Sequence, residues 1–392
     1  MVTFRKRWLI FLLILVLLTG TALAESPYEK ADTPLTMFAV NVGKGDALLL
    51  NCGSDTYLID TGLQEHWGEL SCALEMLQVS RLTGVILTHT DKDHAGGLWP
   101  LATSSIEVEG WYASAYYAGV KKESKHPAVE AAALRGESVT FLKAGDELPL
   151  GTGTLKVVGP LSVSETENCN SLVLVAEASG GRMLLTGDME FPEEEELLKT
   201  GSIPNCDVIK IANHGEDDAT SEALIRAVQP EIAVISTNTD AEPDTPSARV
   251  MALLSTAGVK VYETQNAQSG VLVTIDQGET SANLMHYNDF PDAAQGVAIA
   301  GVDNQDDRIT LRNTGKEKAD LSGWYILSDK GNQIFVLPAG TVLSPGAALT
   351  ISSLSSEEEG DLVWPDKKVW HKSKEDAALL YDVYGRLIDS MN

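Results

Sequence analysis

Basic residues are scarce in this sequence: 29 Lys and Arg stand against 56 Asp and Glu, a net charge of −27. Because nucleic-acid affinity depends mainly on Lys and Arg, this balance excludes a large phosphate-neutralising surface. It does not exclude a nucleic-acid substrate that meets the protein only at a metal ion. Four cysteines and no CxxC pair exclude a disulfide scaffold, a zinc ribbon and a thioredoxin-like motif. The 392 residues, 44% of them apolar, suffice for two folded domains.

Long apolar runs are also missing. The run Trp8–Leu18 has 11 residues, well short of the roughly 20 that a membrane-spanning helix needs. Three basic residues precede it, and Ala22-Leu23-Ala24 follows it in the small-x-small pattern of a cleavage site. We therefore predict a signal peptide over residues 1–24, a secreted or extracellular mature protein, and no stable membrane span after cleavage. The alternative is an uncleaved membrane anchor.

The rest of the chain divides into two parts with different patterns. Over residues 25–290, apolar runs alternate with amphipathic stretches, which predicts an α/β domain with helices over 67–77, 193–200, 221–228 and 247–257. The charged run at 193–196 is expected to be a solvated helix start. Residues 297–392 contain only short runs between turn residues, which predicts an all-β sandwich.

The densest group of ligand-capable side chains is His89-Thr90-Asp91-Lys92-Asp93-His94. It follows a short apolar strand predicted over 84–87 and precedes Gly96-Gly97. Two imidazoles and two carboxylates within six residues at a strand-to-helix turn can converge on a pair of metal ions, and these ligand types suit a hydrolytic divalent-metal site. The alternative is a solvated polar loop with capping aspartates.

Two later strands end in further candidate ligands. The segment 184–188 (LLTGD) carries an apolar strand into a Gly turn that presents Asp188, which can bridge two metals or cap the next helix. The segment 210–215 (KIANHG) ends another strand at His214, which is either a ligand or an ordinary loop residue. The order HxDxDH, TGD and HG at three strand ends is far more specific than any single motif.

Three more segments extend this pattern: residues 42–47 (VGKGDA), 57–62 (YLIDTG) and 170–174 (NSLVL). Together with the ligand motifs they resemble the metallo-β-lactamase fold, in the version found in ComEC-type competence proteins, whose signatures are VGxGDA, LIDTG and NSLVL before TGD. The resemblance covers about residues 36–276. It implies a four-layer αββα sandwich with two metal ions at one edge of its two sheets.

The resemblance also implies a role for each matching residue. It places His89 and Asp91 at the first metal ion, Asp93 and His94 at the second, Asp188 as the bridge, and His214 as the last ligand. Asp93 or Asp188 would hold the attacking water, so these two are the candidate catalytic residues. A further group is expected to orient ligands or to contact substrate: Asp60, Asn170, Lys210 and Asn213.

This sequence departs from the wider pattern in several places. Asp91 replaces the middle His of the common HxHxDH motif, as in ComEC-type sequences, and the third-motif His is absent, with Asn168 or Asn170 near its place. The ComEC-type HHGS is NHGE at 213–216, and the downstream GHP is DTP at 244–246. Imidazoles are therefore few and oxygens many, which moves the expected metal from zinc toward manganese.

The C-terminal part has a resemblance of its own. The segment 307–324 (DRITLRNTGKEKADLSGW) and the turn segments that follow it resemble the lamin-tail domain, an immunoglobulin-like sandwich. This resemblance covers about residues 298–390 and implies binding or attachment, to a protein or a cell-surface ligand. Trp324, Trp364 and Trp370 are expected in its core rather than on a ligand platform.

Two functions are compatible with these observations. The first is a secreted metal-dependent hydrolase, with DNA or another phosphodiester as the substrate that the resemblance implies. The second is a non-catalytic cell-surface or extracellular binding protein with a degenerate metal site. A β-lactamase fits less well, because the ligand set usual for that class is incomplete here. The metal content of the purified protein separates the first two.

The N-terminal pattern generates a testable prediction. If residues 1–24 are a signal peptide, protein recovered from the culture supernatant should begin at Glu25, as read by N-terminal sequencing. Full-length protein found only in the membrane fraction would contradict cleavage and favour the anchor.

Overall fold

The computed structural model describes residues 33–286, 296–373 and 375–392. The predicted signal peptide and residues 287–295, which contain the predicted end of the first domain, lie outside the described residues. Within 33–286 the strands are β1 (Leu35–Val40), β2 (Leu48–Cys52), β3 (Asp55–Ile59), β4 (Arg81–Leu82), β5 (Gly84–Leu87), β6 (Glu107–Val108), β7 (Trp111–Ser114), β8 (Val139–Leu142), β9 (Glu147–Leu150), β10 (Gly153–Gly159), β11 (Val173–Ala178), β12 (Gly181–Leu185), β13 (Val208–Lys210), β14 (Ile232–Ile235), β15 (Lys260–Glu263), β16 (Gly270–Asp276) and β17 (Glu279–Met285). The helices are α1 (Trp67–Met76), α2 (Lys92–Ala95), α3 (Leu98–Thr103), α4 (Pro127–Leu134), α5 (Phe191–Thr200), α6 (Glu222–Val228) and α7 (Ala248–Ala257).

Two mixed sheets form the centre of this part. The first has eight strands in the order β17-β16-β1-β2-β3-β5-β7-β8, and the second has seven in the order β15-β14-β13-β12-β11-β10-β9. Alternate residues of a strand point to opposite faces of its sheet. In β1, Met37 therefore packs between the sheets, against Leu174 and Leu185 of the second, while Phe38 and Val40 join the cluster on the outer face.

A helix layer covers the outer face of each sheet. Apolar residues of α1, α3 and α4 share a core cluster with the first sheet, and those of α5, α6 and α7 share one with the second. The order helices, sheet, sheet, helices is the predicted αββα sandwich, which is confirmed. Helices at 67–76, 191–200, 222–228 and 248–257 agree with the four predicted segments to within two residues at each end.

Residues 296–373 and 375–392 contain strands only. These are β18 (Val297–Asp303), β19 (Arg308–Asn313), β20 (Ala319–Asp320), β21 (Tyr325–Ser328), β22 (Ile334–Val336), β23 (Val342–Leu343), β24 (Ala348–Ser353), β25 (Leu362–Trp364), β26 (Ala378–Tyr381) and β27 (Leu387–Met391). Two four-stranded sheets, β18-β19-β24-β25 and β22-β21-β26-β27, enclose one apolar core. Trp324, Trp364 and Trp370 lie in that core. The predicted all-β sandwich is confirmed.

The sandwich packs on the helix layer of the first sheet. Tyr325 and Val336 belong to the same apolar cluster as α1 and α3. The Ser71 hydroxyl donates a hydrogen bond to the Val383 carbonyl at 3.0 Å. Gly68 makes this approach feasible, because a Cβ there would lie 2.7 Å from the Tyr325 hydroxyl. The two parts therefore share an apolar interface, while the domain bounds 25–290 and 297–392 stay a prediction.

Cys52, Cys72, Cys169 and Cys206 are all buried and unpaired. In the part of the chain that the structure describes, no helix has the length and apolarity needed to cross a membrane.

The expected solvated start of α5 is right for Glu195 and Glu196, which are exposed, and wrong for the two residues before them. Glu193 and Glu194 are both buried, with 4% and 2% of their surface exposed. Neither carboxylate oxygen of Glu193 has a hydrogen-bond partner among the described residues. Burial, aided by the nearby charges of Glu196 and Glu190, raises the pKa of Glu193 well above its usual value. A single sequence does not reveal this, because α5 buries this turn against the second sheet only in the tertiary structure.

Glu193 generates a prediction for the pH dependence of stability. Its pKa is higher in the folded protein than in the unfolded chain, so the unfolded chain releases this proton first and stability falls as the pH rises above the unfolded-state value. Glu193→Gln should raise the free energy of unfolding at pH 8 by about 1–3 kcal/mol, and by less at pH 5, as measured by urea denaturation.

The matched control is Glu195→Gln, two residues along α5, whose carboxylate is 69% exposed and pairs with Lys199 at 2.8 Å. It should change stability by less than about 0.5 kcal/mol. An equal gain from Glu193→Gln at both pH values would show that the charge of Glu193 is not what destabilises the fold.

Candidate metal centre

The candidate ligands lie where three strands end at one edge of the sandwich. β5 ends at Leu87 and leads into the 89–94 motif; β12 ends at Leu185 before Asp188; and β13 ends at Lys210 before a short 3-10 turn at Ala212–Gly215. β12 and β13 are parallel neighbours in the second sheet, and β5 belongs to the first. Because the two sheets pack face to face, residues more than 100 positions apart in the sequence meet in one site.

Asp188 is the centre of this site. Its Oδ2 atom lies 3.1 Å from His94 Nε2, 3.4 Å from His214 Nε2 and 3.9 Å from His89 Nε2. The rings of His89 and His94 are 4.1 Å apart between centroids, and those of His94 and His214 are 5.4 Å apart. All four residues are buried. One carboxylate thus faces three imidazoles.

Two more carboxylates lie on the open side of the cluster. Asp93 Oδ2 is 3.4 Å from His214 Nε2, and Asp91 Oδ2 is 3.7 Å from His89 Nε2. The side chain of Asp93 is 28% exposed and that of Asp91 is 50% exposed. All six ligands implied by the sequence resemblance therefore meet in one place, although their assignment to two ions stays a prediction.

Outer contacts fix the direction of two of the three imidazoles, His94 and His214. Asp60 accepts hydrogen bonds from the backbone and hydroxyl of Thr88, both at 2.7 Å, and its Oδ2 lies 2.8 Å from His94 Nδ1. The Ser236 carbonyl lies 2.9 Å from His214 Nδ1. A carbonyl can only accept, so His214 carries a proton on Nδ1 and directs Nε2 to the cluster. Asp60 contacts the ring nitrogen of His94 that faces away from the cluster, and its role in orienting a metal ligand stays a prediction.

The loops that carry the ligands adopt left-handed backbone conformations. The φ angles are 59° at Asp60, 46° at Asn213 and 52° at His214. Such conformations cost on the order of 1–3 kcal/mol each and persist where the surrounding structure imposes them. At Gly187 the φ angle is 50°, and a Cβ would lie 2.9 Å from that of Ser171. This close packing explains why glycine precedes Asp188.

The remaining predicted residues have different surroundings. Asn170 bonds with its own loop: it accepts from the Ser164 amide at 2.8 Å and donates to the carbonyls of Ser164 and Thr166. The Asn213 amide donates to Asp218 at 3.1 Å. The side-chain amides of Asn170 and Asn213 therefore bond within loops beside the site and not to a candidate metal ligand.

Lys210 is fully buried, and its Nζ lies 2.8 Å from Asp46 Oδ2. The other oxygen of Asp46 is 3.9 Å from His214 Nδ1. The sequence motifs assign no role to Asp46, although it is the Asp of the VGKGDA segment. The feature that could have identified it is a carboxylate placed directly after a Gly turn at the end of an apolar strand. Asp46 both balances the charge of Lys210 and extends the negative field of the cluster.

The imidazoles and carboxylates of the cluster shift one another's pKa values. Burial lowers the pKa of His214, but Asp188, Asp93 and Asp46 more than offset it and raise the pKa to about 9. Burial likewise opposes ionisation of Asp93, yet His214 and His94 lower its pKa to about 2. Despite complete burial, His214 and His94 hold the pKa of Asp188 well below its usual value. The site therefore stabilises positive charge in its interior.

The residues fit a divalent metal. His89 Nε2, His94 Nε2, His214 Nε2 and Asp188 Oδ1 are buried, and none makes a well-directed hydrogen bond among the described residues. The three nitrogens instead face one oxygen, Asp188 Oδ2, at distances of 3.9, 3.1 and 3.4 Å, and a cation would complete the coordination of all four atoms. Donor atoms of Asp93, His94, Asp188 and His214 all lie within 4.8 Å of one another. Imidazole nitrogens with several carboxylates suit zinc or manganese.

Comparison with known proteins agrees with this geometry. Residues 40–239 match the Metallo-beta-lactamase superfamily, and residues 291–392 match the Lamin Tail Domain. ComE operon protein 3 of Bacillus subtilis is 27% identical over 252 residues, covering 59% of this chain and 32% of that protein. Competence protein ComA of Neisseria gonorrhoeae is 26% identical over 253 residues, covering 64% and 34%. The chain thus matches about a third of the length of these relatives.

Solved structures give weaker matches. A diphosphatase of the PhnP family aligns with a TM-score of 0.39 at 13% identity, covering 61% of this chain and 97% of that structure. The metallo-beta-lactamase fold protein YhfI from Bacillus subtilis aligns with a TM-score of 0.38 at 12% identity, covering 62% and 99%. The family match itself covers more than half of the chain. With its site geometry and its competence-protein relatives, this chain belongs to the metallo-beta-lactamase superfamily, in the ComEC-type group, and carries a lamin tail domain after the metallo-beta-lactamase fold.

Proposed function

We propose that this protein is a secreted metal-dependent hydrolase of phosphodiesters. One observation carries the proposal: three buried imidazole nitrogens converge on one buried carboxylate at a sheet edge, and none of these nitrogens makes a well-directed hydrogen bond among the described residues. Proteins rarely leave several such atoms unsatisfied together unless a ligand completes them.

In this proposal Asp93, His94, Asp188 and His214 would hold one ion, and His89 and Asp91 would share Asp188 with a second. A divalent ion bound there would polarise the scissile bond and lower the pKa of water. The chain's own residues supply the positioning. Asp60 keeps His94 Nε2 directed at Asp188, and Ser236 does the same for His214. Asp93, ionised and partly exposed, orients the attacking water at the open side.

The choice of phosphodiesters has separate support. The relatives are named as competence and recombination proteins, among them Recombination protein 2 of Haemophilus influenzae, 28% identical over 219 residues and covering 54% of this chain and 24% of that protein. Carboxylate-rich sites favour hard divalent ions, which pair with phosphoryl oxygens. We further propose that the lamin tail domain binds a protein or cell-surface ligand and retains the enzyme near its substrate.

The test removes the shared carboxylate. Asp188→Ala should lose bound metal and lower the hydrolysis of bis(p-nitrophenyl) phosphate by about 100-fold or more, since even outer-shell partners of a metal are worth 10–100-fold. Metal stoichiometry is measured by elemental analysis of the folded variant after loading with manganese or zinc. The circular dichroism spectrum and the thermal unfolding transition of the αββα sandwich should be retained in the variant.

Asp276→Ala is the matched control. Asp276 is the last residue of β16 and lies at the end of the first sheet away from the metal centre. β16 runs antiparallel to β1, so Gly270 pairs with Val40, where β1 leads toward the site, and Ile275 pairs with Leu35 at the far end. It should retain metal and activity. An Asp188→Ala protein that binds two ions as tightly as the parent would refute the bridging role. A parent that binds no zinc, manganese or iron would replace the hydrolase with the non-catalytic binding protein.

A further inference from the structure

Glu167 is a half-buried carboxylate beside the metal centre to which neither the sequence motifs nor the proposed function assigns a role. Its Oε1 atom accepts hydrogen bonds from the backbone amide of Thr90, at 2.9 Å, and from the Thr90 hydroxyl. Its Oε2 atom accepts from the amides of Ala118 and Gly119, the latter at 2.7 Å. One carboxylate thus receives four hydrogen bonds and joins its own loop to two others.

One of these loops carries candidate ligands. Thr90 directly follows His89 in the ligand motif. On the other side of His89, Asp60 accepts hydrogen bonds from the amide and the hydroxyl of Thr88, both at 2.7 Å. The residues before and after His89 are therefore each bound through an amide and a hydroxyl to a carboxylate, which is Asp60 at Thr88 and Glu167 at Thr90.

His89 depends on this backbone support more than the other two imidazoles do. His94 and His214 have a carboxylate oxygen and a carbonyl oxygen, respectively, at Nδ1. Among the described residues, His89 Nδ1 has only the Thr88 hydroxyl within hydrogen-bond distance, at 3.1 Å. The direction of His89 Nε2 is therefore set largely by the position of the chain around it.

The loop that carries Glu167 is ordered by Asn170. The Asn170 side chain accepts from the Ser164 amide and donates to the carbonyls of Ser164 and Thr166. Its backbone amide donates to the Glu167 carbonyl at 2.8 Å. The Ser114 hydroxyl donates to the Asn170 carbonyl at 2.8 Å, which ties the loop to the end of β7. These contacts fix the position of Glu167.

The contact between Glu167 and its donors is close and charged. A Cβ at Gly119 would lie 2.8 Å from Thr90 Oγ1, so only glycine lets this loop approach so closely. Burial raises the pKa of Glu167, but the hydrogen bonds from Thr90 and the two loop amides outweigh burial and lower it below its usual value. Glu167 is therefore ionised, and hydrogen bonds to a charged acceptor are roughly twice as strong as neutral ones.

We propose that Glu167 is a positioning residue of the metal centre, which holds Thr90 so that His89 and Asp91 face the same metal ion. Asp91 Oδ2 lies 3.7 Å from His89 Nε2, and Thr90 is the residue between them. The inference rests on the proposed function, because it concerns the ion that these two residues would share with Asp188.

The ligands of the other proposed ion have separate supports. The Asp93 carbonyl accepts from the Asp46 amide at 3.1 Å, and the His94 carbonyl accepts from the Thr61 amide at 2.7 Å. Among the described residues, Glu167 makes no hydrogen bond to either ligand. A change at Glu167 should therefore weaken one ion and leave the other in place.

The test removes the acceptors in the full chain. Metal-free protein is dialysed against increasing manganese, and bound metal is measured by elemental analysis. The parent should bind two ions. Glu167→Ala should retain one and bind the other about tenfold or more weakly, since outer partners of metal ligands are worth 10–100-fold in affinity. Glu167→Gln should give an intermediate loss, because its single acceptor oxygen can serve Thr90 or the loop amides but not both.

Two further measurements separate positioning from a loss of stability. Glu167→Ala and His89→Ala act on the same ion, so the double variant should bind manganese no more weakly than His89→Ala alone. In metal-free Glu167→Ala, amide hydrogen exchange should rise over residues 88–91 and 117–120. Thr90→Val, which removes only the hydroxyl donor, should weaken the same ion by about threefold.

Asp376→Ala is the matched control. Asp376 of the lamin tail domain accepts hydrogen bonds from the Ser328 hydroxyl at 3.1 Å and from the amides of Lys330 and His371 at 2.8 Å. Its loss should lower the thermal unfolding temperature and leave both ions bound.

The outcomes distinguish this inference from the proposed function. A parent that binds no ion contradicts the proposed function and this inference together. A parent that binds one ion, or two ions that Glu167→Ala binds equally well, overturns this inference alone. An equal loss of metal from Asp376→Ala, or additive losses from Glu167→Ala and His89→Ala, also overturns it, because Glu167 would then act through general stability.

Discussion

The contact between the inner faces of the two sheets is the constraint on which the rest of this structure depends. Met37 and Leu50 from the first sheet pack with Leu174 and Leu185 from the second in one fully buried cluster. That packing fixes how the end of β5 lies relative to the ends of β12 and β13. Because the ligands follow directly from those strand ends, an apolar interface without any functional group determines the geometry of the polar site.

The polar site in turn costs folding free energy, and the packing of the two sheets compensates for this cost. His89, His94, Asp188 and His214 are buried with unsatisfied atoms, and several loop residues hold left-handed conformations. Buried charges and backbone strain of this kind persist when the surrounding packing leaves no alternative. The concentration of such features at one sheet edge is what marks it as the functional edge.

The second domain contributes in a different way. Its sandwich has a core of its own around Trp364, yet Tyr325 and Val336 extend the outer apolar cluster of the first domain. It packs on α1 and α3, the helix layer that covers the first sheet. Gly68 and Gly385 approach closely at this contact. The lamin tail domain is therefore held in a defined position against the metallo-beta-lactamase fold, although no contact among the described residues joins it to the candidate ligands.

The sequence by itself determined the class of each domain and most long helices, because hydrophobic periodicity and turn residues act locally. Its short motifs also singled out six candidate ligands through their resemblance to a known family, and the role of these residues as ligands stays a prediction. It did not reveal the roles of Asp46 or Glu193, and it left α2, α3 and α4 unpredicted. Glu193 and Glu194 of α5 were expected to be solvated but are buried, because the exposure of a helical turn depends on what packs against it. Only the tertiary structure showed Asn170 engaged by Ser164 and Thr166 of its own loop, and Lys44 held between Glu216 and Glu242. The contacts of Lys44 join separate loops, and the relative position of those loops is decided by the packing of the sheets that carry them.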